Sequence, residues 1–510
     1  MKIRALILAT AALLAGTGAP AAGASSEQGS ALVQRVALSA SEAAPMRLLS
    51  GTADGYTGRP LGRNDLQALA DALSQACQGG GLLLCRADIP VQDLSDGILE
   101  VRMSEGYVAA IEADESLLPI VERVFAPLLA ERPAKEGTFR RAIALLDDIP
   151  GLKIKAVRPR RTGGDAYVLE VAGTYERSGL RGLATNRGSR RDKPWKAFLG
   201  GEVGSVLQPG DRTSLALLTR PEAPGELVFM RMRYDAAPFS TGLKPYFALA
   251  ASNASPRSEL DGRDVEGELR RAEIGITKPL LRREGLRVDL EVGLEASRSV
   301  EKEEEDTLYA DELQILTAEI LGRRKVGRSG LAVGRAKLKR GLGLGNAGGS
   351  SRPDGEAVFT TVSFAADLSA RLPRGVVGRL GASGQLSDSP LLFAEEFALG
   401  GGRFGRGYDF GEVLGDHGAA GFVELARPIP MKGELSTIEP YVFADTGVTS
   451  NKGAGLSADG KALWSSGGGV RLLGRSGWSL HYEAAMPLSD APYTLEDDSL
   501  RHRVDIGFRR

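Results

Sequence analysis

Two cysteines and three histidines stand in 510 residues. His417, His481 and His502 are scattered, so neither residue type supplies the clustered ligands of a metal centre. There is no Gly-Lys-Ser/Thr loop for a nucleotide and no serine elbow for acyl transfer. Excess charge of either sign is missing too. Lys and Arg number 64 against 65 Asp and Glu, which argues against nucleic acid as the main partner. Past the N-terminus no run of ~18 apolar residues exists, which excludes a helical membrane protein. Aromatics are sparse at 6%, few for a barrel with aromatic girdles.

What is abundant is glycine, 66 residues, about twice the ~7% average. With short polar punctuation, this composition suits many strands joined by turns. The chain is long enough for several domains. It begins with Lys2 and Arg4, an apolar run from Ala5 to Leu14, and Ala22-Gly23-Ala24 before Ser25. That order is a secretory signal, residues 1–24, with cleavage expected after Ala24. The Ser- and Ala-rich residues 25–45 read as a linker.

Residues 46–112 read as a compact α/β module. Met46-Arg47-Leu48-Leu49 suits a strand, and Asn64 with Gln67 has capping-box spacing before a helix whose apolar face is Leu66, Leu69, Ala70 and Leu73. Leu82-Leu83-Leu84 suits a second strand. Cys77 and Cys85 bracket the Gly79-Gly80-Gly81 turn. In an exported protein such a pair is most simply a disulfide, with two free thiols the alternative. Residues 116–175 repeat the plan. Leu117, Val121, Val124 and Leu128 share one helical face until Pro133, and a second helix carries Phe139, Ile143 and Leu146 before Pro150-Gly151. Strands are expected at Leu152–Val157 and Tyr167–Val171.

From about residue 178 the period changes to two. Val288, Leu290, Val292 and Leu294 alternate with Arg287, Asp289, Glu291 and Glu295. One apolar face and one charged face fit a strand between lipid and a wet lumen. Val358, Thr360, Val362, Phe364, Ala366 and Leu368 make another such face, and Pro209-Gly210-Asp211, Pro224-Gly225 and Pro353-Asp354-Gly355 mark turns. Acidic residues 301–306 read as a surface loop with no binding role. Val504, Ile506 and Phe508 should face lipid in the closing strand, with Arg509 and Arg510 after the terminal aromatic. Residues 178–510 are therefore expected to form a closed transmembrane β-barrel.

Two fingerprints are set aside. Gly343-x-Gly345-x-x-Gly348 and Gly400-x-Gly402-x-x-Gly405 match the dinucleotide spacing, but neither opens a helix after a strand. Asp445-Thr446-Gly447 is the tripeptide of aspartic proteases, yet no second copy completes a dyad. No catalytic site and no cofactor are expected.

The remaining stretch is Phe397–Gly411, with Gly400, Gly401, Arg406, Gly407 and Tyr408, answered downstream by Phe443-x-Asp445-x-Gly447. Together they resemble the paired signature of POTRA-bearing outer-membrane barrels, whose sixth surface loop folds back into the lumen. Residues 89–106 resemble the first POTRA domain of two-partner secretion transporters, the hemolysin secretion/activation family. Arg141–Gly151 resemble its second, and no third copy is found. The resemblance implies a fold of about 16 antiparallel strands preceded by two small α/β POTRA domains, 46–112 and 116–175. It implies a translocator of one unfolded exoprotein, captured by periplasmic POTRA domains and passed through the barrel. Assembly or insertion of other outer-membrane proteins is the alternative. Implied partners are the secreted client, outer-membrane lipids and the barrel-assembly machinery, with no nucleic acid and a monomeric chain. Arg406 at the loop tip is expected to pair with Asp445 on the facing wall.

Overall fold

The computed structural model describes residues 30–188, 194–255, 265–304, 306–327, 329–345, 348–452, 461–489 and 499–510. The expected signal peptide and the first residues of the expected linker lie outside them. The chain divides into two compact units that meet between Glu176 and Arg177.

The first unit holds both α/β modules. The linker expectation fails from residue 31 onward. Ala31–Val33 pairs with Arg59–Leu61, and Arg35–Ser39 runs parallel to Ile98–Glu105. A Ser/Ala-rich composition hid two short strands whose apolar residues, Val33 above all, enter the core. Met46–Asp54 is a helix rather than a strand, because Leu49 and Ala53, four residues apart, are the positions it buries. The next helix, Arg63–Gly79, starts earlier than Asn64 suggests. Gly62 is its N-cap, and the Gly62 N–H donates to the Asp65 carboxylate at 3.0 Å. Its buried face is Leu69, Leu73 and Cys77. Leu82–Leu84 forms no strand; the edge strand is Cys85–Asp88, beside Ile98–Glu105.

The boundary between modules also shifts. Tyr107–Ala113, expected in the first, lies parallel to Ala166–Tyr175 and belongs to the second. Gly106 is the pivot. Its N–H donates to Leu84 O at 3.0 Å, and a Cβ there would fall 2.9 Å from that same oxygen. The second sheet has Ala166–Tyr175 in the middle and Leu152–Gly163 on the far side. Helices Leu118–Ala130 and Glu136–Asp147 cover it, with Phe125 stacked on Phe139 at 5.9 Å between ring centres.

The second unit is a closed barrel of sixteen antiparallel strands, from Ser178–Thr185 to Arg501–Arg509, with each strand paired to its neighbour in sequence. Alternation sets the two faces. Ile274, Leu294, Val362, Val442 and Ile506 point outward and stay exposed. Glu295, Glu424, Asp445, Glu483 and Arg503 point inward and are buried. Three consecutive strands are the longest: Val265–Arg283, Leu286–Glu303 and Asp306–Val326, with 19, 18 and 21 residues. The acidic run is not a separate loop, since Glu301 pairs with Tyr309 and Glu303 with Asp306 across the tip of the 286–326 hairpin.

Candidate functional site

The segment between strands Val377–Ser387 and His417–Ala426 folds inward. It opens with a single 3-10 turn, Phe393–Glu395, then a small hairpin of Phe397–Leu399 against Val413–Gly415. At its base Arg352 reaches across from another connection and donates to Glu396 at 2.9 Å and Asp416 at 2.8 Å. Burial pushes the Glu396 carboxyl up to about 7 despite the guanidinium beside it.

Glycine allows the tip to form. Gly400 has φ 102°, and a Cβ on it would lie 2.1 Å from Asp409 O. Tyr408 follows the tip and is fully buried. Its hydroxyl accepts the Ser489 N–H at 2.9 Å and donates to Ser489 O at 2.6 Å.

The facing wall is the strand Leu435–Ser450, between His417–Ala426 and Lys461–Gly474. Phe443, Asp445 and Gly447 lie on its inner face at the spacing of two that a strand requires. A Cβ on Gly447 would stand 2.6 Å from Leu399 Cδ2, so the missing side chain is the seat for Leu399 of the small hairpin. Asp445 Oδ1 accepts the Gly405 N–H at 2.7 Å and the Ser465 hydroxyl at 2.5 Å. This carboxylate therefore holds the backbone of the tip.

Arg406 is 6% exposed and lies with its guanidinium carbon 4.2 Å from the centre of the Phe443 ring. Its Nε stands 3.6 Å from Asp445 Oδ2. The closer contacts are elsewhere: Nη1 donates to Glu424 Oε2 and Glu483 Oε2, both at 3.2 Å. The expected pair is in fact a cluster of one cation and three carboxylates. A second ring of arginines balances those acids. Arg471 and Arg379 bind Glu424 at 2.8 and 2.7 Å, and Arg187 binds Glu483 at 2.8 Å. From the last strand, Arg501 donates to Asp409 at 3.0 Å and Arg503 to Tyr408 O at 2.5 Å. Arg403, three residues before Arg406, sits at the exposed edge on Asp367 at 2.7 Å.

Glu424, Glu483, Arg379, Arg471, Arg501 and Arg503 are the residues that sequence reading missed. Their signal was present: each is a charge at an inward position of a strand whose outward positions are apolar. The Asp-Thr-Gly tripeptide lies on this wall with a single aspartate. Among the described residues no group of three or more His, Cys, Asp or Glu is placed to hold a metal ion, and no helix is long and apolar enough to cross a membrane. In the first unit Cys77 and Cys85 are buried together, with Cα atoms 5.9 Å apart.

A family profile described as haemolysin secretion/activation protein ShlB/FhaC/HecB matches residues 246–472, which contain the loop and the facing wall. A POTRA domain profile of ShlB type matches residues 31–106, the first module with its boundaries as the structure draws them. The two matches together support a two-partner secretion transporter with POTRA domains. Among curated relatives, the heme/hemopexin transporter protein HuxB of Haemophilus influenzae (strain 86-028NP) is 19% identical, over 85% of this chain and 79% of its own. Among solved structures, CdiB from Escherichia coli superposes with a TM-score of 0.71 at 16% identity, covering 97% of this chain and 93% of its own. CdiB from Acinetobacter baumannii gives 0.61 at 15% identity, over 100% and 97% of the two chains. BamA from Haemophilus ducreyi lacking POTRA domains 1–3 gives 0.57 at 12% identity, over 94% and 100%, and shares the fold. These matches support two-partner secretion transport of an exoprotein, and a barrel with a POTRA domain in that setting implies the outer membrane of a Gram-negative cell.

Proposed function

We propose that this transporter receives its exoprotein unfolded in the periplasm, on the strand edges of its POTRA modules, and passes it through the barrel lumen. The observation that carries the reading is an edge strand of the first module, Arg35–Ser39, across the sheet from the other edge, Cys85–Asp88. One of its sides pairs with Ile98–Glu105, and no further strand is paired to the other among the described residues. Such an edge offers backbone donors and acceptors to an extended peptide, and side-chain pockets beside it can choose the sequence. The second module offers a longer edge at Leu152–Gly163, but Pro159 in its middle removes one donor and makes it the poorer template. The infolded loop fits a transporter whose pore is occupied at rest. Gly400, Gly401, Arg406, Gly407 and Tyr408 shape and anchor it, and Phe443, Asp445 and Gly447 receive it.

The test removes residues 30–176, because the barrel forms a unit of its own. The truncated chain should still reach the membrane as a heat-modifiable barrel while export of the exoprotein is lost. Export at the parent level would place client recognition in the barrel instead.

A further inference from the structure

The barrel closes where its first strand meets its last, and this seam is its shortest ladder. Five residue pairs join them, from Asp505–Thr185 to Arg509–Arg181, against eight between Lys196–Gly204 and either of its neighbours. Beyond Thr185 side chains take over. The Asn186 amide oxygen accepts the Val504 N–H at 2.7 Å while its Nδ2 donates to His502 O at 3.1 Å, beside one last backbone rung from the Asn186 N–H to Val504 O at 3.2 Å. Arg187 comes next. Its Nε donates to both oxygens of Asp505 on the last strand at 3.0 Å. Its Nη1 donates to Glu483 Oε1 at 2.8 Å.

Glu483 Oε2 is the oxygen that takes Arg406 of the infolded loop, at 3.2 Å. One carboxylate thus binds the seam with one oxygen and the loop with the other. The Arg187 stem also lies along the loop, its Cδ 3.6 Å from where a Gly402 Cβ would stand. On the far side of the seam, Arg501 and Arg503 bind Asp409 and Tyr408, so the last strand is tied to the loop directly. All of these groups are mostly or fully buried. In such surroundings removing one partner leaves another charge uncompensated.

We infer that the infolded loop is an interior latch on the barrel seam, with Arg187 as the positioning residue that couples the two through Glu483. The inference concerns the barrel alone and involves no client, so its failure leaves the transport reading untouched. If the loop stabilises the seam, the seam stabilises the loop by the same factor. Amide hydrogen exchange on the full-length chain in lipid nanodiscs reads both. Arg406→Ala should speed exchange in residues 178–187 and 501–509 by about tenfold, as expected for opening made easier by one lost buried contact. Residues 286–303, remote from the seam in strand order, should keep their rates. Arg187→Gln should do the reciprocal, speeding exchange in residues 400–412, and Arg187→Lys should restore part of that protection. The double variant should be no faster at the seam than the faster single. Seam rates unchanged in Arg406→Ala, or loop rates unchanged in Arg187→Gln, would overturn the latch. So would equal acceleration of every strand, which is general destabilisation. Should Arg406→Ala fail to fold, the Arg187→Gln and Arg187→Lys pair still decides.

Discussion

Arg406 has three carboxylates within reach, and Asp445 is not the one it holds most closely. The division of labour makes separate predictions for the two residues. Asp445 Oδ1 holds the Gly405 N–H, so Asp445→Asn, which keeps an accepting oxygen, should retain more secretion than Asp445→Ala. Arg406→Ala removes the cation that ties the loop to Glu424 and Glu483, which keep Arg379, Arg471 and Arg187, and should lower secretion by loosening the tip. Arg406→Lys should rescue in part, since one ammonium can meet Glu424 and Glu483 but lacks the separate Nε that faces Asp445. A secretion assay with a matched client ranks the four proteins, and equal secretion by Asp445→Asn and Asp445→Ala would refute the backbone role. The same scale holds the cysteines. Cys77 leaves the helix and Cys85 enters the edge strand of one core, with Cα atoms 5.9 Å apart, inside the range a disulfide spans. Alkylation of the denatured, unreduced protein should therefore label no thiol. Labelling at both positions would show two free cysteines. The bridge closes a short loop and is worth ~2–3 kcal/mol on the chain-entropy estimate.

Among the elements, the barrel strands were the most legible, because alternation over many residues has no competing helical reading. The short strands were the least. Ala31–Val33 and Arg35–Ser39 carry too few residues to show a period, and Met46–Leu49 is an apolar run that suits helix or strand equally. Only the spacing of Leu49 and Ala53 against a core decides it. The loop site was half legible for a related reason. Gly400, Arg406 and Tyr408 stand together in sequence, whereas Glu424 and Glu483 reach Arg406 through strand register, which a sequence does not print. Register in turn fixes topology. Strands alternate direction, so the tip of the 286–326 hairpin lies on the rim that carries the loop base, opposite the rim where residue 177 enters. On the proposed placement of the POTRA modules in the periplasm, a protease site inserted after Glu303 should be cut in intact cells. Cutting that requires a permeabilised outer membrane would place the strands one crossing out of step.

At the scale of the molecule, closure depends on the last residues of the chain. Phe508 faces outward beside Gly182, whose Cβ would lie 2.2 Å from its ring, so first and last strands interlock there. Arg510, beyond that aromatic, exchanges backbone hydrogen bonds with Leu180 at 2.9 and 2.8 Å. Two such bonds at ~0.5–1.5 kcal/mol each are a real share of a five-pair ladder. Deleting Arg510 should lower the temperature at which the barrel loses its folded mobility in gel electrophoresis. An unchanged temperature would show that the ladder ends at Arg509.

The three long strands change what the outer mouth looks like to a chain leaving it. A bilayer needs ~9–11 residues per tilted strand, and these have 18 to 21. On Val265–Arg283 the apolar outward positions Ala272, Ile274 and Ile276 give way to Arg270 and Glu268 toward the tip, so the surplus stands in water beyond the lipid. The surplus therefore stands as a parapet along this flank of the mouth. A polypeptide emerging from the pore is walled off along the tall side by an acidic, fully paired hairpin.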